Sequence, residues 1–359
     1  MTGHADEVNS YLKKNRQLIC PLLKTYLDDY LRVHQRFDLD KEFINYAQEL
    51  ACSGKMVRAA LLLSVIDILG QFHYRDQAKI AAVAIELFGT GILIHDDVID
   101  RSSSRRGLPT AHYKFAQLAI KRGYQHPQQF GISAAICIAD ALFFLAEELL
   151  VNLELPPNIY RALLLKSNRE LSLLVYAEME DVRLASSAEM VTQEDIYKMY
   201  IGKTGRYTGR WPLLAGGLLA ELDPPMIADL EQIGDQLGLV YQLADDKLGM
   251  FGDESQTGKS STSDVLSGKK TLYYFYMHSN LEITDRNQIL KIYGNIAATD
   301  KEINWLKKRV KEVGIYDQVD QEIRRQSAHL TELLYHAKLD PKLKEWLMLI
   351  AAAMTDRSQ

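Results

Sequence analysis

Apolar residues recur every three or four positions along most of the chain, the spacing of amphipathic helices. Leu18, Leu22, Leu23, Tyr26, Leu27 and Tyr30 form the first such stripe, a packing surface with no chemistry of its own. Residues 59–68, 80–100, 132–150, 171–182, 196–214 and 226–248 carry further helical patterns, and regular amphipathic helix resumes from Ser279. The nine prolines leave the intervals 22–108, 158–211 and 226–340 free. Strands would need alternation and turn signals every few residues. Pro156-Pro157 and Pro224-Pro225 mark connections between helices. No low-complexity linker divides the chain and no short-period repeat is visible. The pattern predicts an all-α fold with one domain over residues 1–359.

Two apolar segments end in acid. Residues 80–94 are almost wholly apolar and small, which suits a buried helix. They run into His95-Asp96-Asp97-Val98-Ile99-Asp100. On a helix Asp96 and Asp100 lie one turn apart and point the same way. Asp97 is about 100° round from Asp96, a supporting position. Like carboxylates repel, and burying them unpaired is costly. A hard cation removes both penalties, and oxygen donors without Cys or His point to magnesium rather than zinc. Magnesium keeps waters and completes its shell with substrate phosphates, so the cluster predicts a diphosphate-bearing substrate. A solvated helix end is the plain alternative for a lone DDxxD; the apolar setting weighs against it. The second segment has apolar or small residues at 230, 233, 234, 237, 238 and 241, leading to Asp245 on the same face, beside Gln242 and Asp246.

Cations surround these acids in the sequence. Lys55 and Arg58 stand at the start of an apolar helix, after Gly54. Cations there oppose the helix dipole, whereas an anion would be held by the free N–H groups and both side chains. Two solvated surface cations are the alternative. Arg105 and Arg106 lie in a loop, 101–112, with Gly107 and Pro109. Arginine forks grip phosphate in two places and stay charged at any working pH. Gly202-Lys203-Thr204-Gly205 interrupts a helical pattern and can aim carbonyls and Lys203 into a cavity. Residues 257–271 are polar and contain Lys259, Lys269 and Lys270, a basic loop able to close over phosphates or a plain surface loop. Gly89 and Gly91 inside a helix each cost about 1 kcal/mol against alanine, which signals close packing or deliberate space. Asp140 interrupts the apolar 132–150 segment, Phe143 and Phe144 after it read as core, and Glu178, Glu180 and Asp181 read as an ordinary polar face.

Composition narrows the classes. At 359 residues and 47% hydrophobic content the chain can bury a sizeable core. A net charge of −5 argues against a general nucleic-acid binder. Cys20, Cys52 and Cys137 are far apart and odd in number, so free thiols in a reducing, cytoplasmic setting are expected. Met1 to Asn9 shows no signal-peptide pattern. The apolar runs Ile132–Ala146 and Trp346–Met354 are too short to span a bilayer, so no membrane span is expected.

Taken together, GKMVR, DDVID followed by RRG, KT in a broken helix, and YQLADD with FGD and GKKT resemble the trans-isoprenyl diphosphate synthases. The order and approximate spacing match from about residue 50 to 275. The resemblance, closest in kind to geranylgeranyl diphosphate synthases, implies a helical bundle with a central cavity that usually forms homodimers. It implies about three magnesium ions on Asp96, Asp100 and Asp245, with Asp97 and Asp246 in support. Arg105, Lys203, Lys259 and Lys269 would hold the allylic diphosphate. Lys55, Arg58 and Arg106 would hold isopentenyl diphosphate. Thr204 and Gln242 would stabilise the allylic cation, and the released diphosphate would take the proton.

Three positions depart from the family pattern. Gly89 stands where a His or Gln is usual, Ala59 where a proline follows the arginine, and Gly249 where the second acidic motif ends in aspartate. Residues before the first acidic motif form the floor of the chain pocket in this family. Gly91 removes an aromatic stop there, and Ile92 and Phe88 remain as partial obstructions. At 1.5 Å rise per residue Phe88 lies about 12 Å from Asp96, which favours geranylgeranyl diphosphate, with Gly91→Phe expected to shorten the product. A class I terpene cyclase would show an Asn/Ser/Glu metal triad in place of Asp245-Asp246. A non-catalytic partner subunit would have lost metal carboxylates.

Overall fold

The computed structural model describes residues 2–187, 190–252 and 263–355. These are helical almost throughout, as the periodicity predicts. The chain divides into two compact units, Met1–Leu165 with Pro212–Leu222, and Lys166–Trp211 with Asp223–Gln359.

The first unit opens with α1 (Thr2–His34), α2 (Asp40–Ser53), α3 (Val57–Leu69) and α4 (Arg75–Ile99). A two-stranded ribbon follows, β1 (Ser104–Arg105) against β2 (Leu108–Pro109), then α5 (Ala111–Lys121) and α6 (Pro127–Val151). Pro21 sits inside α1, although proline normally removes one helical hydrogen bond. Ile19, Leu23 and Leu27, all fully buried, hold the helix through it. Gly70 ends α3 in the left-handed region, its N–H donating to Ile66 O. Alanines 78, 81, 82 and 84 of α4 and 134, 135 and 139 of α6 are buried, and α4 and α6 pack together. By length and composition α4 is able to cross a membrane, and 72% of its apolar window is buried in the protein, as in a core helix.

Two of the cysteines are not free. Cys20 of α1 and Cys52 of α2 are joined by a disulfide across 32 residues of sequence. Wide spacing hid this pair, because folding α2 back on α1 brings distant positions together; Cys137 alone remains a thiol. Arg16 reinforces the same joint, donating from Nε and Nη2 to Cys52 O at 3.1 and 2.8 Å. Closing a loop of this length stabilises by about 3–4 kcal/mol through the unfolded chain. Reduction, or Cys20→Ser with Cys52→Ser, is therefore expected to lower Tm by roughly 5 °C in a thermal scan. An unchanged Tm under reductant would remove the cross-link from the account.

In the second unit lie most of α7 (Pro157–Ser186), α8 (Gln193–Tyr200), a π-helix (Ile201–Arg210) and α10 (Pro224–Phe251). The first-unit helix α9 (Trp211–Leu219) intervenes in sequence. After α10 come α11 (Ser263–Ser267), α12 (Leu272–Asn280), α13 (Ile283–Ile292), α14 (Asp300–Glu312), α15 (Ile315–His336) and α16 (Pro341–Thr355). Thr192 with Asp195 and Thr299 with Glu302 start α8 and α14 by reciprocal capping boxes. Leu239, Leu243 and Met250 of α10 pack with Tyr273, Leu306, Val310 and Ile323 in the core. The expected break at Gly202–Gly205 is the π-helix, whose wider turn is a common device at functional sites. Its glycines meet those of α10: a Cβ on Gly238 would lie 2.2 Å from Gly205 Cα, and one on Gly209 2.1 Å from Gly234 O.

Candidate active site

Asp96, Asp97 and Asp100 occupy the last turn and C-cap of α4, which carries no basic residue in that turn. The carbonyl end of a helix is already negative, so three acids there are doubly unfavourable without a cation. The 101–112 loop supplies one. Arg106 and Gly107 both have positive φ, 54° and 76°, and form the two-residue turn of the ribbon. The turn folds Arg105 back to donate from Nη2 to Asp96 Oδ2 at 2.8 Å and from Nε to Asp97 Oδ1 at 2.6 Å. Asp97 is fully buried and paired with Arg105. Asp96 and Asp100 are half-buried and keep access to solvent.

Burial pushes Asp97 up to about 6 despite the pull of Arg105, and the neighbouring Asp96 and Asp100 add to the rise. A carboxyl raised in the folded state favours folding most below its unfolded value near 3.9, and that contribution is lost as pH rises through 6. In metal-free protein Asp97→Asn is therefore expected to flatten the fall in Tm between about pH 4 and 6. Parallel pH profiles for the two proteins would contradict the assignment.

A basic cluster forms in the same unit. Gly54 links α2 to a turn in which Met56 has φ 51°, a costly conformation for a side-chain-bearing residue, just before α3. The Arg106 guanidinium lies 2.2–2.9 Å from where a Cβ on Gly54 would be. Arg58 lies 3.4–3.5 Å from the Cβ position of Gly89. Gly54 thus makes room for the Arg106 guanidinium, whereas a Cβ at Gly89 would lie at ordinary contact distance from Arg58. Lys55 is exposed beside them. Ala59 N–H donates to Glu86 Oε1 at 3.0 Å. Proline would have no such donor, so Ala59 and buried Glu86 form a matched pair.

Gly91 has a different neighbour. A Cβ there would lie 2.6 Å from Phe143 Cε1 and 3.0 Å from Ala139 O. The space read from sequence as open is taken by a ring from α6. Gly91→Phe alone would have to displace Phe143, so it is not a clean test of the floor. Phe88 is buried and Ile92 half-buried on the Asp96 face of α4. Asp140, which interrupts the apolar segment of α6, is exposed, with its Oδ1 3.4 Å from His95 Nε2.

The second unit holds a linked set. Thr204 Oγ1 of the π-helix donates to Gln242 Oε1 at 2.6 Å, and Gln242 Nε2 donates to Asp246 Oδ1 at 2.8 Å. Tyr200 donates its hydroxyl to Asp246 Oδ2. Full burial beside that carboxylate drives the Tyr200 hydroxyl well above its usual value, so it stays a donor. Asp246 thus accepts from both Gln242 and Tyr200, and the neighbouring Asp245 is half-buried. Lys203 Nζ donates to Asp181 Oδ2 at 2.7 Å and to Glu178 Oε1 at 3.1 Å. The acids of α7 are therefore more than a polar face; their spacing of three was the available signal. Sequence reading also missed Tyr200 and the Lys247–Asp320 ion pair, 2.6 Å, which ties α10 to α15 directly after the acid pair. Lys269 is half-buried, its carbonyl accepting from Tyr293 Oη at 2.7 Å. Lys259 and Asp253 lie outside the described residues.

Among the described residues no three acid, His or Cys side chains form a ready-made metal cage. The donor set nonetheless fits magnesium: Asp96 and Asp100 are half-buried oxygen donors one helical turn apart at the negative end of α4, with Arg105 and Asp97 in support.

A sequence model of the polyprenyl synthetase family matches residues 40–310. A geranylgeranyl diphosphate synthase of Saccharolobus solfataricus is 29% identical over 254 residues, 70% of each chain. A geranylfarnesyl diphosphate synthase of Aeropyrum pernix is 25% identical over 320 residues, 86% of this chain and 92% of its own. Among solved structures, a geranylgeranyl pyrophosphate synthase of Corynebacterium glutamicum, complexed with isoprenyl diphosphate and magnesium, superposes with a TM-score of 0.89. It is 24% identical and covers 96% of this chain and 99% of its own, a likeness of fold.

Proposed function

The chain belongs to the polyprenyl synthetase family and is a trans-prenyl diphosphate synthase, and on that premise we propose that it condenses isopentenyl diphosphate with an allylic diphosphate, chiefly to geranylgeranyl diphosphate. The observation that carries this reading is the last turn of α4, where Arg105 already grips Asp96 and Asp97 beside Asp100. Asp96 and Asp100 in the first unit, and Asp245 in the second, are the carboxylates that would hold magnesium, which when bound would neutralise the allylic diphosphate and make it a better leaving group.

The chain's own groups do the rest. Arg105, Lys203 and Lys269, with Lys259, bind the allylic diphosphate by charge-assisted hydrogen bonds. Glu178 and Asp181 orient Lys203. Lys55, Arg58 and Arg106 bind isopentenyl diphosphate at the start of α3, where the helix N-terminus favours an anion. Thr204 and Gln242 present fixed dipoles to the cation that forms when the diphosphate leaves, and the isopentenyl double bond attacks it. The departing diphosphate accepts the proton. Phe88 and Ile92 line the path of the growing chain along α4.

We propose a homodimer; the Cys20–Cys52 disulfide removes the free-thiol ground for expecting a cytoplasmic setting. Tyr113 and Ile120 of α5 and Ile136, Phe144 and Val151 of α6 are exposed, an apolar surface that suits a second copy. A monomer at micromolar concentration in sedimentation would contradict it. The activity is tested by incubating the protein with magnesium, isopentenyl diphosphate and allylic primers of increasing length, then weighing the products by mass spectrometry. Geranylgeranyl diphosphate is expected as the main product. No elongation from any primer would sink the reading.

A further inference from the structure

A prenyl chain tethered by its diphosphate near Asp96 has to run along the apolar side of α4, away from the acids. Ile92 and Phe88 follow Asp96 on that face at steps of four. His95 and Gly91 stand in the adjacent row of α4, and one side chain of α6 lies against both of them and against Phe88. The Phe143 ring stacks on Phe88 with centroids 6.0 Å apart and planes 24° from parallel. It meets His95 edge to face at 5.4 Å. It lies 2.6 Å from the Cβ position of Gly91, so it occupies the volume a side chain at 91 would need. His95 in turn sits 3.4 Å from Asp140, one turn before Phe143 on α6. The ring is therefore held on several sides.

We propose that Phe143, on a helix outside every motif of the sequence, is a product-length determinant of this enzyme: its ring, seated over Gly91 against Phe88, supplies the block that residue 91 lacks. The glycine is then not an opening. It is the socket for a stop delivered from α6, and Phe88 is the wall that keeps the ring in place. The inference rests on the prenyl synthase reading above.

The experiment compares wild type with Phe143→Ala, Phe143→Leu and the exchange Gly91→Phe/Phe143→Ala, measuring both isopentenyl diphosphate consumed and product length. Phe143→Ala is expected to lengthen the main product by at least one isoprenyl unit, and Phe143→Leu to broaden the distribution toward longer chains. The exchange is expected to return the product to wild-type length or shorter, because the ring is restored from the other helix. Wild type that consumes no isopentenyl diphosphate would reject the prenyl synthase reading itself. An active wild type whose product length is shared by Phe143→Ala and Phe143→Leu would overturn the role of Phe143 alone. So would loss of all product in both, since the ring would then be structural.

Discussion

Asp96→Ala is expected to cut the condensation rate at saturating magnesium by about a thousandfold, the equivalent of several kcal/mol of transition-state stabilisation. Two effects combine. A carboxylate oxygen is lost from the metal shell, and the Arg105 Nη2 bond to Asp96 at 2.8 Å goes with it. Arg105 keeps its 2.6 Å bond to buried Asp97, so the ribbon stays in place and the variant folds. Asp96→Asn separates the parts: it keeps an oxygen for Arg105 while removing the charge a cation needs. Both substitutions are expected to be nearly inactive, with Tm close to wild type or higher, because repulsion among the three acids is relieved. Steady-state rates beside thermal scans check this. An Asp96→Asn enzyme within tenfold of wild type would remove Asp96 from the metal site.

Gly238→Ala is expected to damage both stability and rate through a single methyl group. Its Cβ would stand 2.2 Å from Gly205 Cα, backbone against backbone, so no side-chain rotation relieves it. α10 and the π-helix must move apart, and overpacking of this kind costs about 1–3 kcal/mol. The same displacement stretches the 2.6 Å bond from Thr204, next to Gly205, to Gln242, one turn beyond Gly238. A drop in Tm of several degrees and at least a tenfold loss of rate are expected. Full activity and unchanged Tm would mean that the close glycine contact does not position the site.

Much of this was legible in the sequence because helices announce themselves by spacing. The 80–100 and 226–248 segments fold as α4 and α10 with their acids near the C-terminal ends, since a strong apolar period leaves a chain little alternative. What periodicity cannot supply is the partner of a residue on another helix. Cys20 and Cys52 read as isolated thiols until α1 and α2 pair. Gly91 read as open space until Phe143 of α6 reached it. Glu178 and Asp181 read as solvated charge until the π-helix turned Lys203 toward them. Arg105 and Arg106 were seen as cations in a loop, but their division of labour needed the left-handed turn at Arg106-Gly107 that sends one guanidinium to Asp97 and the other to Gly54.

The most direct test of the central claim is release of inorganic diphosphate from geranyl diphosphate plus isopentenyl diphosphate, followed while free magnesium is titrated from a chelated start. The account predicts no release without divalent metal, full recovery as magnesium is restored, and failure of Asp96→Ala and Asp245→Ala to recover over the same range. Release that proceeds equally well under excess chelator, or that both variants sustain, would contradict it.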